Sequence, residues 1–159
     1  MLAIEIANLQ SFVSIEPQRL RRAVRMVLDD AGLRDGEISV AIVDDQRIRE
    51  LNRTYLEHDY ATDVLSFLLE SAGPQGPITG EIVASGETAA SEAARYGWRP
   101  ADELLLYALH GALHLTGHDD RTKSQAAAMR RAESEYLERL GIAQQRAAGG
   151  RVKRAKVCS

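Results

Sequence analysis

Pro100-Ala-Asp-Glu-Leu104-Leu-Leu-Tyr-Ala-Leu-His110-Gly-Ala-Leu-His114-Leu115-Thr-Gly117-His118-Asp119-Asp120 is the stretch on which the rest of the chain turns. Pro100-Ala-Asp-Glu marks a helix start: proline tolerates the first turn, and acidic groups suit the positive end of the helix. An apolar run from Leu104 to Leu115 continues the helix up to Gly117, the residue type through which a chain leaves a helix by a left-handed turn. Positions i and i+4 lie one above the other, so the imidazoles of His110 and His114 face the same way. A turn at Gly117 lets the segment after it fold back towards the two rings and supply a third ligand. Two helical histidines and one further donor leave a coordination position open, the arrangement of catalytic rather than structural zinc.

Two residues compete for the third position. His118 continues the i, i+4, i+8 series if the helix is unbroken. Gly117 argues that it is not, and Asp120 then stands where the metzincin pattern H-E-x-x-H-x-x-G-x-x-H has its third ligand. Carboxylate oxygen is an acceptable partner to two imidazoles, so Asp120 is taken as the ligand and His118 as the alternative. A lone histidine on an apolar face is more often a packed core residue, but three of the four histidines fall between His110 and His118. Gly111 occupies the place of the Glu that serves zincin peptidases as general base. Peptide hydrolysis therefore lacks its usual proton acceptor. A bound ion can still acidify a water and act as Lewis acid on a phosphoryl or carbonyl oxygen.

The 159 residues suit one domain with a proper core, and 45% hydrophobic with 27% charged residues is ordinary for a soluble protein. No window approaches the ~18 uncharged apolar residues of a membrane span. The first residues lack a basic region and place Glu5 in their apolar stretch, unlike a signal peptide. The single cysteine, Cys158, precludes an internal disulfide framework and suits a reducing cytoplasm. A net charge of −3 does not announce a nucleic-acid binder. Positive charge gathers in the tail Arg151-Val-Lys153-Arg154-Ala-Lys156 after Ala147-Ala-Gly-Gly150, and in a stripe of Arg19, Arg22 and Arg25. Residues 1–146 are thus expected to form the folded domain and 147–159 a flexible basic tail.

Hydrophobic periodicity predicts strands over Leu2–Ala7, Glu37–Val43, Asp63–Leu69 and Gly80–Ser85. The Gly- and Pro-rich loop from Ser71 to Pro77 joins the last two as antiparallel neighbours. Helices are predicted from Pro17 to Gly32, from a cap at Asp44 or Asp45 to Tyr55, over Glu87–Tyr96 and Ala101–Thr116, and over Lys123–Leu140. The expected fold is a single α+β domain. It has a mixed sheet of about four strands, helices packed around it and a central metal-binding helix.

Three segments together resemble the YbeY endoribonucleases, or rRNA maturation factors. The family motif H-G-x-L-H-L-x-G-Y-D-H is followed from His110 to Asp119 except for His118 in place of Tyr, with Asp120 at the last His. The family's L-N-x-x-Y-R-x-x-D-x-P-T-D-V-L-S-F appears as Leu51-Asn-Arg53-Thr-Tyr55-Leu56-Glu-His58-Asp59-Tyr-Ala61-Thr62-Asp63-Val-Leu-Ser66-Phe67. Its G-D-I-V-I-S appears as Gly80-Glu-Ile-Val-Ala-Ser85.

The resemblance implies a cytoplasmic, single-strand-specific, metal-dependent endoribonuclease. Its work is ribosomal RNA processing, notably small-subunit 3′-end maturation, and ribosome quality control. Ribosomal RNA and the small ribosomal subunit are the implied partners, with no membrane and no DNA. His110, His114 and Asp120 are the implied ligands of one divalent ion: zinc first, manganese or nickel as alternatives. His118, if not a ligand, is a candidate catalytic proton shuttle. The family's Arg falls on Leu56, which cannot meet a phosphate, so His58 and Arg53 are the candidate substrate-binding replacements. Rival readings are a non-catalytic ribosome-assembly factor with a structural metal and, less favoured by Gly111, a metalloprotease.

Overall fold

The computed structural model describes residues 1–74, 76–142 and 157–158. Strand β1 (Leu2–Asn8) leads through helix α1 (Pro17–Asp30) to β2 (Gly36–Val43), and α2 (Asp45–Leu56) leads to the β3 (Val64–Ser71) and β4 (Ile78–Ser85) hairpin. Helices α3 (Gly86–Tyr96), α4 (Pro100–Leu115) and α5 (Lys123–Arg139) follow, and two residues, Val157–Cys158, form β5. The sheet order is β1-β2-β4-β3-β5. β1 and β4 both run parallel to β2, β3 is antiparallel to β4, and β5 is parallel to β3 at Ser66 and Phe67. The mixed sheet and the antiparallel hairpin agree with the sequence reading. The flexible tail assigned to residues 147–159 lies outside the described residues except for Val157 and Cys158.

The local reasons are ordinary ones. β1 alternates buried Leu2 and Ile4 with exposed Ala3 and Glu5, the period of a half-covered strand. In α1 the residues Leu20, Ala23, Val24, Val27 and Leu28 are buried on one face. Asp44, not Asp45, caps α2 by accepting the Arg47 amide at 2.8 Å. Asp45 instead accepts the hydroxyls of Ser85 and Thr88, each at 2.6 Å, tying α2 to the β4–α3 junction. The arginine stripe does not act as one surface: Arg25 donates to the Leu2 carbonyl, Arg19 pairs with Glu16 and Asp102, and Arg22 is exposed.

Gly36 starts β2 at φ +121°, and a Cβ there would lie 1.9 Å from the Ile78 carbonyl oxygen of the neighbouring strand. Both the backbone angle and the space demand glycine. Gly36→Ala is expected to cost about 3 kcal/mol. Thermal unfolding checks this, and an unchanged midpoint would show that the strand edge relaxes freely.

α4 occupies the centre. Every residue from Asp102 to Leu115 is buried, and the helix touches α1, α3, α5, β3 and β4. A helix apolar on all sides has no stable place except an interior. Glycines bring it close to the sheet: a Cβ at Gly80 would stand 3.2 Å from the Leu115 methyls, and Ser66 Oγ donates to the Gly111 carbonyl at 3.1 Å.

α5 closes the other side. It opens with a reciprocal Thr122–Gln125 capping box and is fastened to α1 where Tyr136 and Arg139 both donate to Asp30 Oδ2 at 2.7 Å. Arg139 and then Tyr136 hold the Asp30 carboxyl below its ordinary value, against weak opposition from burial. Folding thus favours ionised Asp30. Its contribution is present above the unfolded value near 4 and is lost as pH falls through the lower folded value. Because the pair is half-exposed and screened by water, Asp30→Asn should cost under about 1 kcal/mol at pH 7. The deficit should shrink as denaturation is repeated at increasingly acid pH; a constant deficit would assign it to packing instead.

Candidate metal centre

His110 and His114 are 1% and 4% exposed, with their Nε2 atoms 3.0 Å apart. After them the helix ends as Gly117 takes φ +101°. The Gly117 amide bonds to the His114 carbonyl and the His118 amide to the Leu113 carbonyl, both at 3.0 Å, closing the turn that glycine permits. The returning chain places Asp120 Oδ2 3.5 Å from His110 Nε2 and 3.7 Å from His114 Nε2. Donor atoms on a tetrahedron with bonds of about 2.1 Å would be separated by about 3.4 Å. The three observed separations bracket that value.

The hydrogen bonds behind the rings decide which nitrogens face inward. His114 Nδ1 lies 2.9 Å from the His118 backbone carbonyl, which can only accept, so Nδ1 carries the hydrogen. His110 Nδ1 lies 2.5 Å from Glu133 Oε2, a buried carboxylate on α5 that imposes the same tautomer. Both Nε2 atoms then present lone pairs to each other and to the Asp120 carboxylate. Three acceptors converging with no hydrogen among them repel unless a cation lies between them. That donor chemistry fits a divalent ion.

In the ring-protonated, ion-free form, burial raises the Asp120 carboxyl but the contact with His114 and the charges of His114 and His110 outweigh it, and the net shift is downwards. Asp120 is therefore ionised throughout the neutral range. Its side chain is 23% exposed, which makes it the solvent-facing member of the group. Asp119 shapes the turn: it accepts the Asp120 amide at 2.8 Å and pairs with Arg121.

Among the described residues, the ones that converge are His110, His114 and Asp120. The His118 side chain is exposed, and it is the His118 carbonyl that bonds to His114 at the site. Arg53 is exposed, while His58 stacks on Tyr60 with ring centroids 5.4 Å apart and meets its hydroxyl at 3.0 Å. Among the described residues, no hydrogen bond or ion pair joins either of them to the three donors. Leu56 packs against the core, so a hydrophobic contact stands where the family pattern has a cation.

Glu133 escaped the sequence reading, yet it left a signal. Met129, Glu133 and Leu137 are the buried residues of α5, at i, i+4 and i+8. A lone acid inside an apolar stripe needs a partner, since an unpaired buried carboxylate is costly. Gly111 has a second reason to be glycine: a Cβ there would lie 2.8 Å from Ile82 Cγ2 and 3.0 Å from Ser66 Oγ. The position of the peptidase glutamate therefore faces the sheet.

A sequence-family model described as endoribonuclease YbeY matches residues 5–141. The chain is 47% identical over 109 residues to the endoribonuclease YbeY of Rhodopirellula baltica, a match spanning 67% of this chain and 55% of that protein. It is 38% identical over 141 residues to the protein of the same name from Carboxydothermus hydrogenoformans, covering 87% of this chain and 97% of that one. The Desulforamulus reducens protein, also named endoribonuclease YbeY, is 39% identical over 152 residues and matched over 99% of its length. In three dimensions the fold is shared with the solution structure of TM1509 from Thermotoga maritima, at a TM-score of 0.54 and 22% identity, covering 96% of this chain and all of that one.

Proposed function

The chain belongs to the endoribonuclease YbeY family, and from that membership we propose that it is a metal-dependent endoribonuclease that processes ribosomal RNA. The observation carrying this reading is the convergence of His110 Nε2, His114 Nε2 and Asp120 Oδ2 at the solvent-facing end of the central helix. These residues would hold one divalent ion, zinc first and manganese or nickel otherwise. Such an ion supplies Lewis acidity towards a phosphoryl oxygen and lowers the pKa of water. The carboxylate of Asp120 in place of an imidazole adds negative charge, weakening that acidity and favouring harder ions.

The protein's own residues do the rest. Glu133 and the His118 carbonyl hold the two rings so that a lone pair of each faces the site. His118, whose imidazole is exposed, is the proposed proton carrier for the reacting groups. The partly exposed Asp120 marks the side from which an extended single strand would approach. Arg53 and His58 are the proposed contacts for that strand. The substrate is small-subunit RNA at its 3′ end, encountered on the small ribosomal subunit in the cytoplasm. No helix among the described residues is long and apolar enough to cross a membrane.

The test is incubation with a 3′-extended small-subunit precursor RNA, with zinc or manganese and then with a chelator. Cleavage that follows the metal supports the reading. One observation favours a second reading, a ribosome-assembly factor with a structural metal: Leu56 lies against the core where the family pattern offers a cation. Co-sedimentation with small-subunit precursors, together with intact RNA under every metal condition, would select it.

A further inference from the structure

We infer that Glu133 is a positioning residue for the metal centre and sets its affinity by fixing which nitrogen of His110 faces the ion. The inference rests on the metal-site reading above and adds a residue from a different helix. Glu133 is 4% exposed, and its Oε2 stands 2.5 Å from His110 Nδ1. A carboxylate accepts and cannot donate, so it stabilises the tautomer with hydrogen on Nδ1 and leaves Nε2 as a lone pair. That lone pair is the one directed at Asp120 and at His114 Nε2. Histidine ligands whose outer N–H is held by a carboxylate are both oriented and made more basic. Two carboxylates, Asp120 and Glu133, also balance the charge of a dication beside two neutral imidazoles.

Burying an acid between Met129 and Leu137 on the inner face of α5 opposes helix docking, and an apolar residue would pack there without that cost. Helix docking has its own fastening one turn further on, where Tyr136 and Arg139 grip Asp30. The two jobs are therefore separable by mutation. Glu133→Gln preserves shape but removes the charge and lets an amide N–H donate to His110 Nδ1, which the carboxylate could not do. Donation from it stabilises hydrogen on Nε2, the nitrogen the ion needs.

The experiment measures zinc affinity by competition with a chromophoric chelator for wild type, Glu133→Gln, Glu133→Leu and Asp30→Asn. It also reads the His110 tautomer from ring ¹⁵N shifts of the metal-free proteins. Both Glu133 variants are expected to bind zinc about 10- to 100-fold more weakly. Glu133→Gln should shift His110 towards the Nε2–H form, and Asp30→Asn should keep wild-type affinity despite a lower melting temperature. Unchanged affinity in Glu133→Leu, which has no acceptor for the Nδ1 hydrogen, overturns the inference. An equal loss in Asp30→Asn also overturns it, because helix docking would then explain the effect. Failure of wild type to bind zinc, manganese or nickel sinks the metal-site reading itself, and this inference with it.

Discussion

His114→Ala is expected to abolish metal retention and RNA cleavage together. The ring is 4% exposed and supplies one of three converging donors, so its loss leaves one imidazole and one carboxylate, too few to hold a catalytic ion at working concentrations. Affinity should fall by more than the ~100-fold typical of losing a supporting contact. Stability gives an independent reading. At a free zinc concentration about 100 times Kd, wild type gains about 2.7 kcal/mol, or roughly 5–10 °C in melting temperature for a chain of this size. The variant should show no zinc-dependent shift. Cleavage retained by a variant that no longer binds metal would remove the ion from the chemistry. Retention of both would mean that the three donors are not the site.

Gly111→Glu is expected to destabilise the domain instead of creating a peptidase. The substitution restores the zincin spelling, yet its Cβ would lie 2.8 Å from Ile82 Cγ2 and 3.0 Å from Ser66 Oγ. Ser66 already donates to the Gly111 carbonyl, so helix and sheet have no slack there. Replacing glycine within a helix returns about 1 kcal/mol. Overpacking costs about 1–3 kcal/mol, and an unpaired buried carboxylate adds several more. The expected net loss is about 4 kcal/mol, visible as a melting temperature lower by roughly 10 °C or as insoluble protein. A stable Gly111→Glu protein that hydrolyses a fluorogenic peptide would show that the residue faces the metal after all.

Periodicity and punctuation settle the elements because both act locally. Pro17 and Pro100 open their helices, Asp44 caps one, and Gly117 ends another at φ +101°. The alternation in β1 and the buried face of α1 need no knowledge of their neighbours. His110 and His114 share a helix face for the same reason, since four residues of helix make about one turn. The open choice between His118 and Asp120 was of another kind. It depended on how far the chain turns back after Gly117, a property of the turn and of what it packs against.

The sequence alone thus determined the order and type of the elements, the antiparallel β3–β4 hairpin and the two helical histidines. It also carried the resemblance that points to RNA. Tertiary structure decided what required two distant segments to meet. Glu133 reaches His110 across 23 positions of sequence, and Asp120 Oδ2 comes within 3.7 Å of both inward nitrogens. Leu56 packs, half-buried, against the core, and Gly111 is pressed against Ile82 and Ser66 of the sheet. Local propensity fixes backbone conformation one turn at a time. Ligand geometry, tautomer and steric exclusion instead arise where helices and sheet close on one another, and no single segment encodes that closure.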